Sequence, residues 1–160
     1  MNAIQAIAQN LDLSDMICGG YLTGLTDADL MIRPSVGINH INWQLGHLIV
    51  SDHEMLAAIR PQALPPLPAG LEEQYSKAAA SCDDPAKFQT KDELLAIFTE
   101  IRKGVRAALE QETEANLDAE SGISYAPTVG QIYLMLGSHW LMHCGQWVAV
   151  RRQRGLPPLF

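Results

Sequence analysis

Ser138-His139-Trp140-Leu141-Met142-His143-Cys144-Gly145-Gln146-Trp147 carries two histidines four residues apart in a segment of helical spacing. Four residues is close to one turn, so both imidazoles project from the same face. Upstream, Thr128-Val129-Gly130-Gln131 has the form of a capping box. Downstream, Gly155 and Pro157 stop a helix that reaches Arg154. The spacing predicts one long helix over 128–154, with two metal-ligating side chains near its middle.

With His139 at zero and steps of ~100° per residue, Ile132 falls near ~20°, Leu136 near ~60° and His143 near ~40°. Trp147 and Val150 join the same apolar stripe, near ~80° and ~20°, and Gln146 lies at ~−20°. Both histidines are therefore expected to face the core.

Three more long helices are predicted. The first covers about 2–23, with Ile4, Ile7, Leu11, Met16 and Leu22 at helical spacing and Gly19-Gly20 weakening its end. The second runs from about His40 to Ile59, with Asn39 as its N-cap. The third opens at the capping box Thr90-Lys91-Asp92-Glu93 and continues through Leu109. Short helical pieces are expected at 25–30 and 71–80. The proline-rich run 61–70 cannot be regular structure and forms a long loop between the second and third long helices. No alternation of apolar and polar residues calls for a strand. The expected fold is all-α, a four-helix bundle forming one domain over residues 1–160.

The second helix supplies a third histidine, His47 in Asn42-Trp43-Gln44-Leu45-Gly46-His47-Leu48. Gln44, Ser51 and Glu54 share its face, at ~60°, ~40° and ~−20° from it. Three imidazoles at one place suit zinc, nickel or another late divalent ion, and three protein ligands leave a position open for water or substrate. His47, His139 and His143 are thus the candidate metal ligands, and Gln44, Ser51, Glu54 and Gln146 the candidate pocket lining. His40 and Glu54 fit either the pocket mouth or a plain capping or solvated role. Cys144 points ~100° away from His143 and reads as a buried, inert thiol. His53 is expected at the surface. Trp43, Trp140 and Trp147 read as core packing. Arg151-Arg152-Gln153-Arg154 reads as a complement to the helix dipole.

The chain has 160 residues and a net charge of −7, which argues against nucleic acid as the main partner. Three scattered cysteines suggest reduced thiols in the cytoplasm. The N-terminus lacks a positively charged leader, and no apolar run is long enough to span a membrane.

Three motifs resemble the DinB-like superfamily of bacterial four-helix proteins: Asn39–Leu48, His139-Trp140-Leu141-Met142-His143-Cys144-Gly145-Gln146, and the closing Arg152-Gln153-Arg154-Gly155-Leu156-Pro157-Pro158. The resemblance implies an up-down-down-up bundle, a metal site carried over to His47, His139 and His143, and a homodimer. It also implies chemistry in which a bound metal activates a low-molecular-weight thiol for transfer to an electrophile. The position after His143, often basic in that superfamily, is Cys144 here, and no lysine or arginine stands beside the ligands in sequence. The expected function is that of a divalent-metal-dependent enzyme activating such a thiol or a water. The alternatives are a non-catalytic, stress-responsive metal-binding dimer and a plain helical domain with three hydrogen-bonded histidines.

Overall fold

The computed structural model describes residues 1–159. Its helices are α1 (Ala3–Leu22), α2 (Asp27–Leu30), α3 (Ile41–Ile59), α4 (Leu71–Gln74), α5 (Lys91–Glu110), α6 (Glu114–Leu117) and α7 (Val129–Gln153), with short 3-10 turns at Lys77–Ser81 and Pro85–Lys87. Among the described residues no strand forms; one isolated bridge pairs Glu120 with Thr128 ahead of α7. Among the described residues no helix is long and apolar enough to cross a membrane.

The helix starts follow from local chemistry. Thr90 and Thr128 cap α5 and α7, with Glu93 and Gln131 reaching back to close each box. Asn2 and Gln5 form another box on α1. The start of α3 departs from expectation, because His40 and not Asn39 is the N-cap. Its Nδ1 accepts from the Trp43 N–H at 3.0 Å, while its Nε2 lies 3.0 Å from the Cys82 carbonyl oxygen. Asn39 is engaged elsewhere, its backbone oxygen by Gln44 and its side chain by Arg33. His40 is therefore a fully buried cap, away from any pocket mouth.

The long helices pack through specific pairs. On α1, Asp15 binds Arg102 of α5 and Asp12 binds Arg106, so these two helices run in opposite directions. Against α7, α1 sets Asn10 at Gly137, and further along Arg151 donates to the Tyr21 and Thr23 carbonyls, so this pair advances together. A Cβ at Gly137 would lie 2.4 Å from the Asn10 amide nitrogen, which is why glycine stands at that crossing. Asn42 donates to the Gln89 carbonyl at one end of α3, and Arg60 pairs with Glu112 at the other, so α3 and α5 also advance together. One apolar cluster joins all four, with Leu11, Leu48, Leu56, Val105, Leu136 and Trp147 at its centre. Burial of such side chains, about 1.5–3 kcal/mol each before entropy is counted, is the main force holding the helices together.

Helix α3 is the most enclosed. From Ile41 to Val50 every residue is buried except His47, which is half-buried. One side of α3 faces α5 and α7, and the segment following α4 covers the other. The Tyr75 ring lies over Gly46, where a Cβ would come within 2.1 Å of it. The Tyr75 hydroxyl bonds Asn42 and accepts from the Gln89 N–H, and the Trp43 indole donates to the Ser76 carbonyl at 3.0 Å. Residues 61–70 ahead of this segment form no helix.

The arginines that end α7 do more than complement its dipole. Arg151 is buried and clamps the Tyr21, Thr23 and Pro157 carbonyls, and Arg154 pairs with Asp29 at 2.7 Å. Gly155 follows at φ 71°, a left-handed turn that glycine takes without strain.

Candidate metal centre

His47 from α3 meets His139 and His143 from α7 on the surface where the two helices cross. The ring centroids are 5.5 Å apart for His47 and His139, 5.7 Å for His47 and His143, and 5.0 Å for His139 and His143. One nitrogen from each ring lies within 4.8 Å of the others, a spacing at which the three can hold a metal ion. All three rings are half-buried. They sit at the edge of the apolar stripe and not at its middle: Trp140 packs on Phe98 of α5 and Cys144 beside Cys18 of α1, and the histidine side is left half-buried.

Burial depresses all three basicities. It lowers His47, to which the nearby Lys77 ammonium adds. It lowers His139 to about 4, with the charge of His47 adding, and His143 to about 4, with His139 and His47 adding. At neutral pH the rings are uncharged and keep lone pairs, which is the form a metal ion binds. His139 Nδ1 is buried with no hydrogen-bond partner. An unmet buried nitrogen costs about 1–3 kcal/mol, and a cation can use a lone pair that no donor meets. The donor set and this orphaned nitrogen fit a late divalent ion.

Each ring is supported differently. The Trp43 indole stacks on His47, with centroids 4.9 Å apart and planes at 6°, as expected for aromatic residues one turn apart. His143 Nδ1 lies 3.0 Å from Gln44 Oε1, which also accepts from the Trp147 indole N–H at 2.9 Å. Gln146 accepts from Gln44 Nε2 at 3.0 Å. Of the four expected lining residues, Gln44 and Gln146 therefore join the cluster. Ser51 is half-buried and Glu54 exposed, and among the described residues neither hydrogen-bonds the histidines.

The tryptophans are buried as expected, but each also donates its indole N–H: Trp43 to Ser76, Trp147 to Gln44 and Trp140 to Asp52. His53 is partly buried, with Nε2 3.0 Å from the Pro65 carbonyl oxygen, so it steadies the proline-rich stretch. Cys144 is buried and turned away from the cluster. Its thiol beside Cys18, together with burial, holds the Cys18 thiol far above its ordinary pKa, so Cys18 is not a ready nucleophile. All three cysteines are free.

Two features are absent from the reading of the sequence. Lys77 is exposed, and its positive charge reaches His47 although thirty residues separate them. The Trp43–Ser76 bond carries the chain there. Beneath the cluster, Asp52 is fully buried and takes the Trp140 N–H at 2.8 Å, with Arg102 Nη1 3.3 Å away. The one clue in sequence is Arg102 beside Ile101 in an otherwise apolar stripe.

Among curated proteins, none matches the chain. A crystal structure described as a conserved protein from Enterococcus faecalis is similar over 95% of this chain and 96% of that one, with a TM-score of 0.70 and 19% identity, a likeness of fold. The family model of the DinB superfamily matches residues 19–147, a span that takes in all three histidines. With the all-helical fold and the histidine cluster, that match places the chain as a member of the DinB superfamily.

Proposed function

We infer that the protein is a divalent-metal-dependent enzyme of its superfamily, in which His47, His139 and His143 hold zinc or nickel. The observation that carries this reading is the set of three imidazoles, one nitrogen of each within 4.8 Å of the others, on a half-buried face. A set of three protein ligands with an open side is the pattern of catalytic sites, whereas structural zinc sites are closed by four. A metal ion bound there supplies Lewis acidity, which lowers the pKa of a coordinated thiol or water. The protein's own residues then bind and orient. Trp43 braces His47, Gln44 and Gln146 fix His143 from behind, and the Lys77 ammonium draws an anionic reactant to the open side. A low-molecular-weight thiol that carries carboxylate groups fits that charge, as does an anionic substrate attacked by a metal-activated water.

The helix pairings support an up-down-down-up bundle that forms one domain over 1–160. Three free cysteines support a reducing, cytoplasmic setting. A homodimer is the expected assembly, and exposed Leu13 and Met16 on α1 with Leu134 on α7 support it. The same apolar residues favour the second reading, a non-catalytic metal-binding dimer whose surface is its working part. Elemental analysis of the purified protein and its His143→Ala variant tests the metal. Stoichiometric metal in the first and loss in the second is expected, and no metal in either would refute both readings. A thiol titration of the metal-loaded protein then separates enzyme from binder.

A further inference from the structure

The Gln44 carboxamide is buried and has every hydrogen-bonding capacity in use. Its Oε1 lies 2.9 Å from Trp147 Nε1 and 3.0 Å from His143 Nδ1. Its Nε2 lies 2.6 Å from the Asn39 carbonyl oxygen and 3.0 Å from Gln146 Oε1. An indole N–H can only donate, and a backbone carbonyl can only accept. The first makes the atom beside Trp147 the oxygen, and the second makes the atom beside Asn39 the nitrogen. Both ends therefore orient the amide the same way. Turned over, it would set N–H against N–H at Trp147 and oxygen against oxygen at Asn39, and each buried mismatch costs about 1–3 kcal/mol.

An oxygen fixed in this way dictates what faces it. Two acceptors cannot meet at 3.0 Å, so the proton of the neutral His143 ring sits on Nδ1. The lone pair is left on Nε2. His139 has no such arrangement, because its Nδ1 is buried without a partner. Of the two histidines on α7, His143 is the one whose ligand atom the protein selects before any ion arrives.

We propose that Gln44 is a positioning residue that holds His143 as its Nδ1–H tautomer and so presents Nε2 to the metal ion, with Trp147 and Asn39 fixing the amide that does so. The metal-facing half of this rests on the function inferred above; the tautomer does not. Partners behind a ligating histidine set its orientation and basicity, and their loss lowers metal affinity about 10–100-fold. Because the partner is an amide and not a carboxylate, it adds no negative charge behind the ligand, which leaves a bound ion more electron-poor. A glutamate at 44 would lose both donors and bring an oxygen against the Asn39 carbonyl, so the residue is specific.

Long-range 1H–15N correlation spectra of the metal-free protein at neutral pH read which ring nitrogen of His143 carries the proton. The wild type is expected to show Nδ1–H. Gln44→Met, which has no oxygen to accept, is expected to lose that signature and to bind cobalt(II) about 10–100-fold more weakly. Trp147→Phe disturbs the same neighbourhood but leaves Asn39 to orient the amide, and it is expected to keep the signature. A wild-type His143 protonated on Nε2 overturns the proposal, whether or not the variants fold. An unchanged signature in Gln44→Met overturns it equally. A wild type that shows Nδ1–H but takes up no cobalt(II) refutes the metal-binding function instead and leaves the tautomer standing.

Discussion

Replacing Arg102 with methionine removes the cation that the bundle interior is built around. The guanidinium reaches Asp15 through Nε at 2.9 Å, donates to the Leu136 carbonyl through Nη2 at 2.6 Å and holds Nη1 3.3 Å from Asp52. It also lies 5.2 Å from the Phe98 ring and 5.3 Å from the Trp140 ring. Methionine keeps most of the packing but leaves a fully buried carboxyl without its counter-charge. Breaking a buried pair from one side costs about 3–5 kcal/mol. The stranded Leu136 carbonyl adds about 1 kcal/mol. Against a total stability of roughly 5–15 kcal/mol, the full loss, felt once Asp52 is ionised, is a large fraction. The loss depends on pH in a definite sense. Burial already raises Asp52 from 3.8 to about 7 even though Arg102 opposes it, and without Arg102 it rises further. A carboxyl raised in the folded state carries no penalty below its unfolded pKa; its penalty grows with pH and levels off above the folded value. Up to about pH 7 both folded proteins keep Asp52 protonated and the deficit of Arg102→Met stays level; above about pH 7 the wild-type penalty levels off while the variant's still grows, so the deficit widens there. Adding Asp52→Asn removes the buried acid and should recover a large part of the loss, because removing both partners is milder than removing one. Urea unfolding of the three proteins at about pH 6 and about pH 9, on either side of the wild-type folded value, measures the effect. A deficit that does not change with pH, together with a double variant no more stable than the single, would refute the reasoning.

Two further substitutions probe the surroundings of the site. Gly46→Ala would place a Cβ 2.1 Å from the Tyr75 ring, which Asn42 and Gln89 hold in place, so a loss of about 1–3 kcal/mol or more is expected in thermal or urea unfolding; unchanged stability would mean that the ring can move aside. Lys77→Glu reverses the charge that depresses His47, so the pKa of that ring should rise in an NMR titration of the metal-free protein, and an unmoved pKa would show that the ammonium does not face the site.

Signals confined to one turn of chain were readable from sequence. The boxes at Thr90 and Thr128 needed only residues three apart, and the phase of α7 placed His139 and His143 on one face. Propensity failed at His40 because Asn39, the better cap by type, has its oxygens drawn off by Gln44 and Arg33. Angle alone could not separate Gln44, buried against His143 and Trp147, from Ser51 and Glu54, which share its face but lie nearer solvent. Arg151 read only as a complement to the helix dipole because the carbonyls it clamps belong to the end of another helix. Lys77 was out of reach for the same reason, since its place depends on a tertiary bond from Trp43 to Ser76.

That bond belongs to a set with a consequence for how chain length can vary in related sequences. Tyr75, Ser76, Cys82 and Gln89 grip Asn42, Trp43 and the capping His40 at the start of α3, each bond a rung that ties the two stretches of chain. A residue inserted or deleted between 75 and 89 would leave some rungs without a match, and the brace on His47 would go with them. Length changes are tolerated where no rung is broken, so insertions in homologous chains should fall before Leu71 or after α5, leaving the count between Tyr75 and Gln89 untouched.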